Sequence, residues 1–157
     1  MRHMNRNLAT ALAALCAALL FPASSAPSTT LKGPGIIRIT GRQIGFTEVD
    51  TGVAGRSPGD MEISRVQLYN TRVRQRPIGH AQLICIYTGA NSRDCNGTFV
   101  LPAGKLVVSG GLIYRSLYDL AVTGGTGLYA NVRGTLIVTR IRQKPPRDVL
   151  LFRLVVS

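Results

Sequence analysis

The sequence of 157 residues predicts an all-β domain of eight antiparallel strands. Apolar and β-branched residues come in short runs, Gly, Pro, Asn and Asp interrupt those runs, and helical periodicity is almost absent beyond residue 35. The intervals between runs are short, which favours hairpins over crossover helices. With no helices to cover a second face, such strands bury apolar surface by closing into a barrel or by stacking as a two-layer sandwich. A closed barrel is the expected form.

Taken in order, the chain opens with Arg2 and Arg6, an uncharged run from Leu8 to Phe21, and then Pro22-Ala23-Ser24-Ser25-Ala26. A basic start, a short apolar stretch and small residues read as a secretory signal peptide over 1–25, since a spanning helix needs about 20 apolar residues. An uncleaved anchor is the other reading. The expected location is secreted, in a periplasm or extracellular. Residues 26–35, rich in Ser, Thr, Pro and Gly, read as a flexible linker, and residues 36–157 as the barrel domain. Strands are predicted near 36–40 and 44–50, 60–73, 78–88, 95–101, 105–112, 117–123, 132–142 and 148–156. Ala81, Leu83, Cys85 and Tyr87 share one face, and His80, Gln82, Ile84 and Ile86 the other. Met61 and Ile63 are in phase with each other but out of phase with Val66 and Leu68, which predicts a β-bulge at Ser64-Arg65. From Val149 to Val156 both faces are apolar except at Arg153, the pattern of a strand that meets another subunit.

The formal charge is +12, and loss of Arg2 and Arg6 with the leader would make it +10. Arg72, Arg74 and Arg76 alternate along one strand face, as do Arg140 and Arg142, with Lys144 beyond. Such rows could bind phosphate, acidic lipid or an anionic polymer of the cell envelope such as a polysaccharide, but in a secreted protein a solvated basic exterior is the expected reading. Few aromatics and no recognisable motif argue against nucleic acid. Of three cysteines, Cys85 and Cys95 lie outside the leader. In an exported chain they are expected to form a disulfide across a short loop, which the chain-entropy model values at roughly 3 kcal/mol. A free thiol at Cys85 is the alternative. No metal site and no cofactor is indicated.

Gly125-x-Gly127-x-x-Ala130 follows an apolar run, as a dinucleotide fingerprint would. A nucleotide site needs a helix after its glycines, but Thr135-Leu136-Ile137-Val138 soon follows and is strand sequence. The glycines are therefore expected to serve a tight connection where a neighbouring chain approaches closely. Thr123-Gly124-Gly125-Thr126-Gly127-Leu128-Tyr129 with Arg133-Gly134 resembles the glycine signature of the allene oxide cyclase and dirigent barrel families. Gly59-Asp60 followed by Leu68-Tyr69-Asn70, the segment Gly79 to Cys85, Thr98-Phe99 and Gly104-Lys105-Leu106 resemble further family motifs, in family order from about Phe46 to Val156. The resemblance implies an eight-stranded barrel of lipocalin-like shape, often a homotrimer, with an apolar pocket at one end.

Phe46-Thr47-Glu48-Val49-Asp50 carries the first candidate chemistry. On a strand, Glu48 and Asp50 share a face about 6.6 Å apart, and two carboxylates in an apolar cup can act as acid or base or orient a water. Similarity to plant allene oxide cyclases matches Glu48 to a water-holding glutamate, whereas Asp50 stands where those enzymes carry asparagine. Pro58 resembles a pocket proline, and Cys85 the pocket cysteine. Leu112 replaces a pocket tyrosine, with Tyr114 one strand step away on the same face. These departures argue against strict allene oxide cyclase activity. A glycosidase is excluded, because its two carboxylates must flank a bond from opposite sides. Two classes remain. One is a barrel that holds an apolar small molecule and directs its cyclisation or coupling, with Glu48 and Asp50 catalytic and Pro58, Cys85, Leu112 and Tyr114 contacting substrate. The other is an exported binding protein without turnover.

Overall fold

A computed structural model describes residues 35–70, 76–113 and 115–156. Eight strands close in chain order: β1 Ile36–Val49, β2 Met61–Tyr69, β3 Gly79–Tyr87, β4 Ser92–Leu101, β5 Gly104–Ile113, β6 Leu117–Gly125, β7 Val132–Gln143 and β8 Pro146–Val156. All neighbours are antiparallel, and β1 completes the ring against β8. The barrel, not the sandwich, is the form adopted. The expected leader, the linker as far as residue 34, Arg72, Arg74 and Tyr114 lie outside the described residues.

The runs at 36–40 and 44–50 form one strand. Gly41 bridges them where inward side chains crowd the backbone: an added Cβ would lie 2.9 Å from Val66 Cγ1 and 3.3 Å from Leu150 Cδ1. A bulge exists near the expected place, but on the other strand. Gln43 pairs with Val66 and Gly45 with Arg65, so Ile44 is the extra residue on β1. β2 itself keeps unbroken register against β3, from Met61 opposite Ile86 to Leu68 opposite Gly79. The reading of a slip at Ser64-Arg65 is thus corrected: Met61 and Ile63 face outward, while Glu62 and Ser64 face inward in step with Val66 and Leu68. Polar residues on the inner wall had disguised a regular strand.

Inward positions fill one end of the barrel with apolar side chains. Leu68, Phe99, Leu106, Val108, Leu136 and Phe152 are almost wholly buried, each contributing on the order of 1.5–3 kcal/mol. Phe99 and Phe152 meet edge to face at 5.2 Å. The β6–β7 connection seals this end with the 3-10 turn Gly127–Tyr129, whose Tyr129 joins the core. No nucleotide-binding helix follows the glycines. Gly127 has φ +65°, and a Cβ there would strike the Ala103 carbonyl. At Gly125 a Cβ would come 2.6 Å from the Lys105 carbonyl oxygen. Close backbone approach, not phosphate, accounts for both. On the outer face of β8, Val155 is exposed while Val149 and Leu151 are half-buried.

Candidate functional site at the open end of the barrel

The opposite end is reached by the loops 50–60, 88–91 and 144–145, and a cavity of about 750 Å³ opens there. Its inner wall is mostly apolar, built from Val66, Leu83, Phe99, Val138 and Leu150, with Ser64 and Gln43 as polar interruptions and Phe46 nearer the mouth. Each comes from an inward strand position, so the alternation that makes the barrel also makes the pocket.

Charge is concentrated at the mouth. Glu62 on β2 lies opposite Cys85 on β3, and its carboxylate is buried. Tyr87, two residues past Cys85, donates its hydroxyl to Glu62 Oε1. Arg93, which faces Tyr87 across β3 and β4, donates from Nη1 to Oε2. Arg56 Nη2 stands 3.9 Å from Oε1, and its guanidinium lies 5.6 Å from the Tyr87 ring centre. A carboxylate held at both oxygens by a phenol and a guanidinium is fixed in direction, and each oxygen keeps capacity for a further donor. That leaves Glu62 able to accept a further hydrogen bond at the cavity mouth.

A second pair comes from the other side of the ring. Arg140 on β7 and Asp148 on β8 are register partners, and the guanidinium grips the carboxylate with Nε on Oδ1 and Nη2 on Oδ2 at 3.3 Å. Burial pushes the Asp148 carboxyl above its ordinary value, and the bond and charge of Arg140 pull it back in part. With β2 to β4 carrying one cluster and β7 and β8 the other, two charged groups face one cavity from roughly opposite walls.

The 50–60 loop is organised by Asp60. Its carboxylate accepts from the backbone of Thr51 at 2.8 Å and of Ser57 at 2.7 Å, and from both hydroxyls. These bonds, the two backbone donors foremost, hold its carboxyl below the usual range.

Glu48 is opposite Glu62 across β1 and β2, so it turns to the same side, but at the rim. Its side chain is 43% exposed and lies 3.6 Å from Arg56 Nε. Asp50 does not join it. The strand has ended, and the exposed Asp50 carboxylate takes the backbone N–H groups of Gly52 and Gly55 at 3.4 and 3.2 Å. Pro58 is exposed in the loop and does not line the cavity. Cys85 does line it, bonded to Cys95 with S–S 2.07 Å, so no thiol is offered there. Leu112 is buried on the inner side opposite Arg93, outside the cavity lining. Tyr114 falls among residues not described. Glu62, Tyr87, Arg93 and Asp148 are not singled out as site residues in the sequence, and Arg140, expected in a basic row with Arg142, instead pairs with Asp148 at the cavity, with a register shift between Arg140 and Arg142. Glu62 was legible by parity, because it is in step with Val66 and Leu68 once no slip is assumed.

No family model matches the chain, and no curated protein does. Solved structures do. A structure titled pyocyanin demethylase is 25% identical with a TM-score of 0.67, over 76% of this chain and 99% of that one. The chain carries an allene oxide cyclase/dirigent-like barrel. The pterocarpan synthase dirigent protein GePTS1 shares this barrel fold at 14% identity and TM-score 0.61, over 87% of this chain and 99% of that one. The Diels-Alderase AbmU from Streptomyces koyangensis has the same identity and score, over 76% of this chain and 64% of that one. Among the described residues of the dirigent-like barrel, no helix is long and apolar enough to cross a membrane.

Proposed function

We propose that this dirigent-like barrel admits a small, mostly apolar molecule through its open end and directs the stereochemistry of its cyclisation or coupling. The observation that carries the reading is the buried Glu62, clasped by Tyr87 and Arg93 at the mouth of a cavity whose inner wall is mostly apolar. A buried ion pair is a weak source of stability, and keeping one at a cavity mouth fits a role in orienting a ligand. The apolar wall restricts the bound conformation and excludes water, and Glu62 accepts a hydrogen bond or proton from the reacting molecule. Asp148, with Arg140, holds a second polar group on the far wall. Support in kind comes from fold neighbours named as pterocarpan synthase dirigent proteins, Diels-Alderases and a pyocyanin demethylase. We place the mature domain outside the cytoplasm, for which the Cys85–Cys95 disulfide is the supporting feature.

The test is native mass spectrometry on protein purified from its source, followed by chiral analysis of whatever co-purifies. A retained small molecule whose stereochemical purity falls with Glu62→Gln, in a variant that still folds, is the expected result. Equal purity with both proteins would leave binding without direction, the reading of a carrier. Absence of any retained molecule would count against the cavity's role.

A further inference from the structure

The cavity's charge balance says more about its ligand than its size does. Four cations line it, Arg56, Arg93, Arg140 and Lys144, against two lining carboxylates, Glu62 and Asp148, and a third, Glu48, at the rim, which leaves one positive charge in excess. Arg93 is engaged with Glu62 and Arg140 with Asp148, both through direct hydrogen bonds. The excess lies with Arg56 and Lys144. Arg56 is 54% exposed and meets carboxylates only at 3.6 Å (Glu48) and 3.9 Å (Glu62). Loose contacts of that kind are worth little in solvent and yield readily to a better placed anion. Its guanidinium is nevertheless held in position: it lies over Tyr87, and the loop that carries it is pinned by Asp60. Such a group loses less freedom on binding than a free side chain would. Lys144, in the β7–β8 connection, is exposed, and among the described residues no carboxylate lies within ion-pair distance of it. Below these cations the wall is hydrocarbon and aromatic.

We infer that the ligand of this cavity is an amphipathic anion, with an apolar ring system or chain against the inner wall and a single acidic group at the rim, met by Arg56 and Lys144. The inference rests on the reading that the cavity takes a small molecule, and it selects among such molecules by charge. The acidic group is a carboxylate, phenolate or sulfonate, since the same cations serve all three. Neutral molecules of the same shape enter more weakly. Cations are repelled by the excess positive charge at the mouth and of the chain as a whole.

Two fluorescent probes with one aromatic skeleton separate the possibilities. N-phenyl-1-naphthylamine is neutral, and 8-anilino-1-naphthalenesulfonate adds a sulfonate to it. In fluorescence titrations of the full chain at low salt, the sulfonate is expected to bind about tenfold more tightly, each partly exposed cation contributing a few-fold. The probes should displace one another, and the preference should shrink at high salt. In the double variant Arg56→Gln, Lys144→Gln the preference should vanish while binding of the neutral probe stays unchanged. Equal or tighter binding of the neutral probe would overturn the inference and leave the cavity reading intact. A sulfonate probe that the neutral one cannot displace would also overturn it, because the anion would then sit on the basic exterior. Failure of both probes to enter would remove the cavity reading, and this inference with it.

Discussion

Replacing Arg93 by methionine isolates the interaction on which the mouth of the cavity is built. In the native barrel the Arg93 side chain is 10% exposed and that of Glu62 8%. Removing one partner of such a pair strands the other, which typically costs 3–5 kcal/mol. Glu62 would keep the Tyr87 hydroxyl and the distant, half-exposed Arg56, and the mouth admits some water, so the low end applies: about 3 kcal/mol. For a domain of roughly 120 residues, with about 4 °C of melting temperature per kcal/mol, the midpoint should fall by about 12 °C. Adding Glu62→Gln to Arg93→Met removes the stranded charge. The double variant should therefore be more stable than Arg93→Met alone, with a coupling energy of about 1.5–3 kcal/mol. Urea unfolding followed by circular dichroism measures Arg93→Met, Glu62→Gln and the double variant against the native chain. A loss below about 1 kcal/mol for Arg93→Met, the worth of an exposed pair, would refute the reasoning. So would a double variant no more stable than the single one.

Because the Asp60 carboxyl is held below its ordinary value, its contribution is fully present above the unfolded value near 3.9 and is lost as pH falls through the native one. Amide exchange at Thr51 and Ser57 should stay protected at about pH 4, where a free aspartate is half protonated, and lose protection only as the pH falls further, through the native value. Asp60→Asn should lose it already at neutral pH, and loss of protection in the native chain well above pH 4 would contradict this. Cys85 and Cys95 are ten residues apart in sequence. Their joint replacement by serine should lower urea stability by about 3 kcal/mol in the chain-entropy model, and no change would show that the β3–β4 hairpin needs no staple.

Much of the barrel is legible in the sequence because burial on one face enforces a period of two. β3 shows it best: Ala81, Leu83, Cys85 and Tyr87 all turn inward, as their alternation indicates. The cysteine pair is legible too, since the two residues stand opposite each other in the β3–β4 register. The site is less so, and for a specific reason. In β2 the inward positions nearest the mouth hold Glu62 and Ser64, while outward Met61 and Ile63 are apolar, so hydrophobicity points the wrong way there. A shift of one residue in a strand exchanges its faces, and the slip expected at Ser64-Arg65 would turn Glu62, the cavity's central carboxylate, to the exterior. Glu48 shares the inward side, yet β1 ends before Asp50 does, so the expected pair is divided between rim and loop. Arg93 and Arg140 illustrate a different limit. Charged residues on strands ordinarily read as solvated, and the partners Glu62 and Asp148 that hold these two at the cavity stand 31 and 8 residues away in sequence.

The central claim is that small molecules occupy the interior beside Glu62, and methyl NMR tests it most directly. N-phenyl-1-naphthylamine titrated into methyl-labelled protein should shift Val66, Leu83, Val138 and Leu150, which line the cavity, and leave the outward Ile84 and Ile86 unmoved. Shifts confined to Ile84, Ile86 and other outward methyls, with the interior silent, would contradict it.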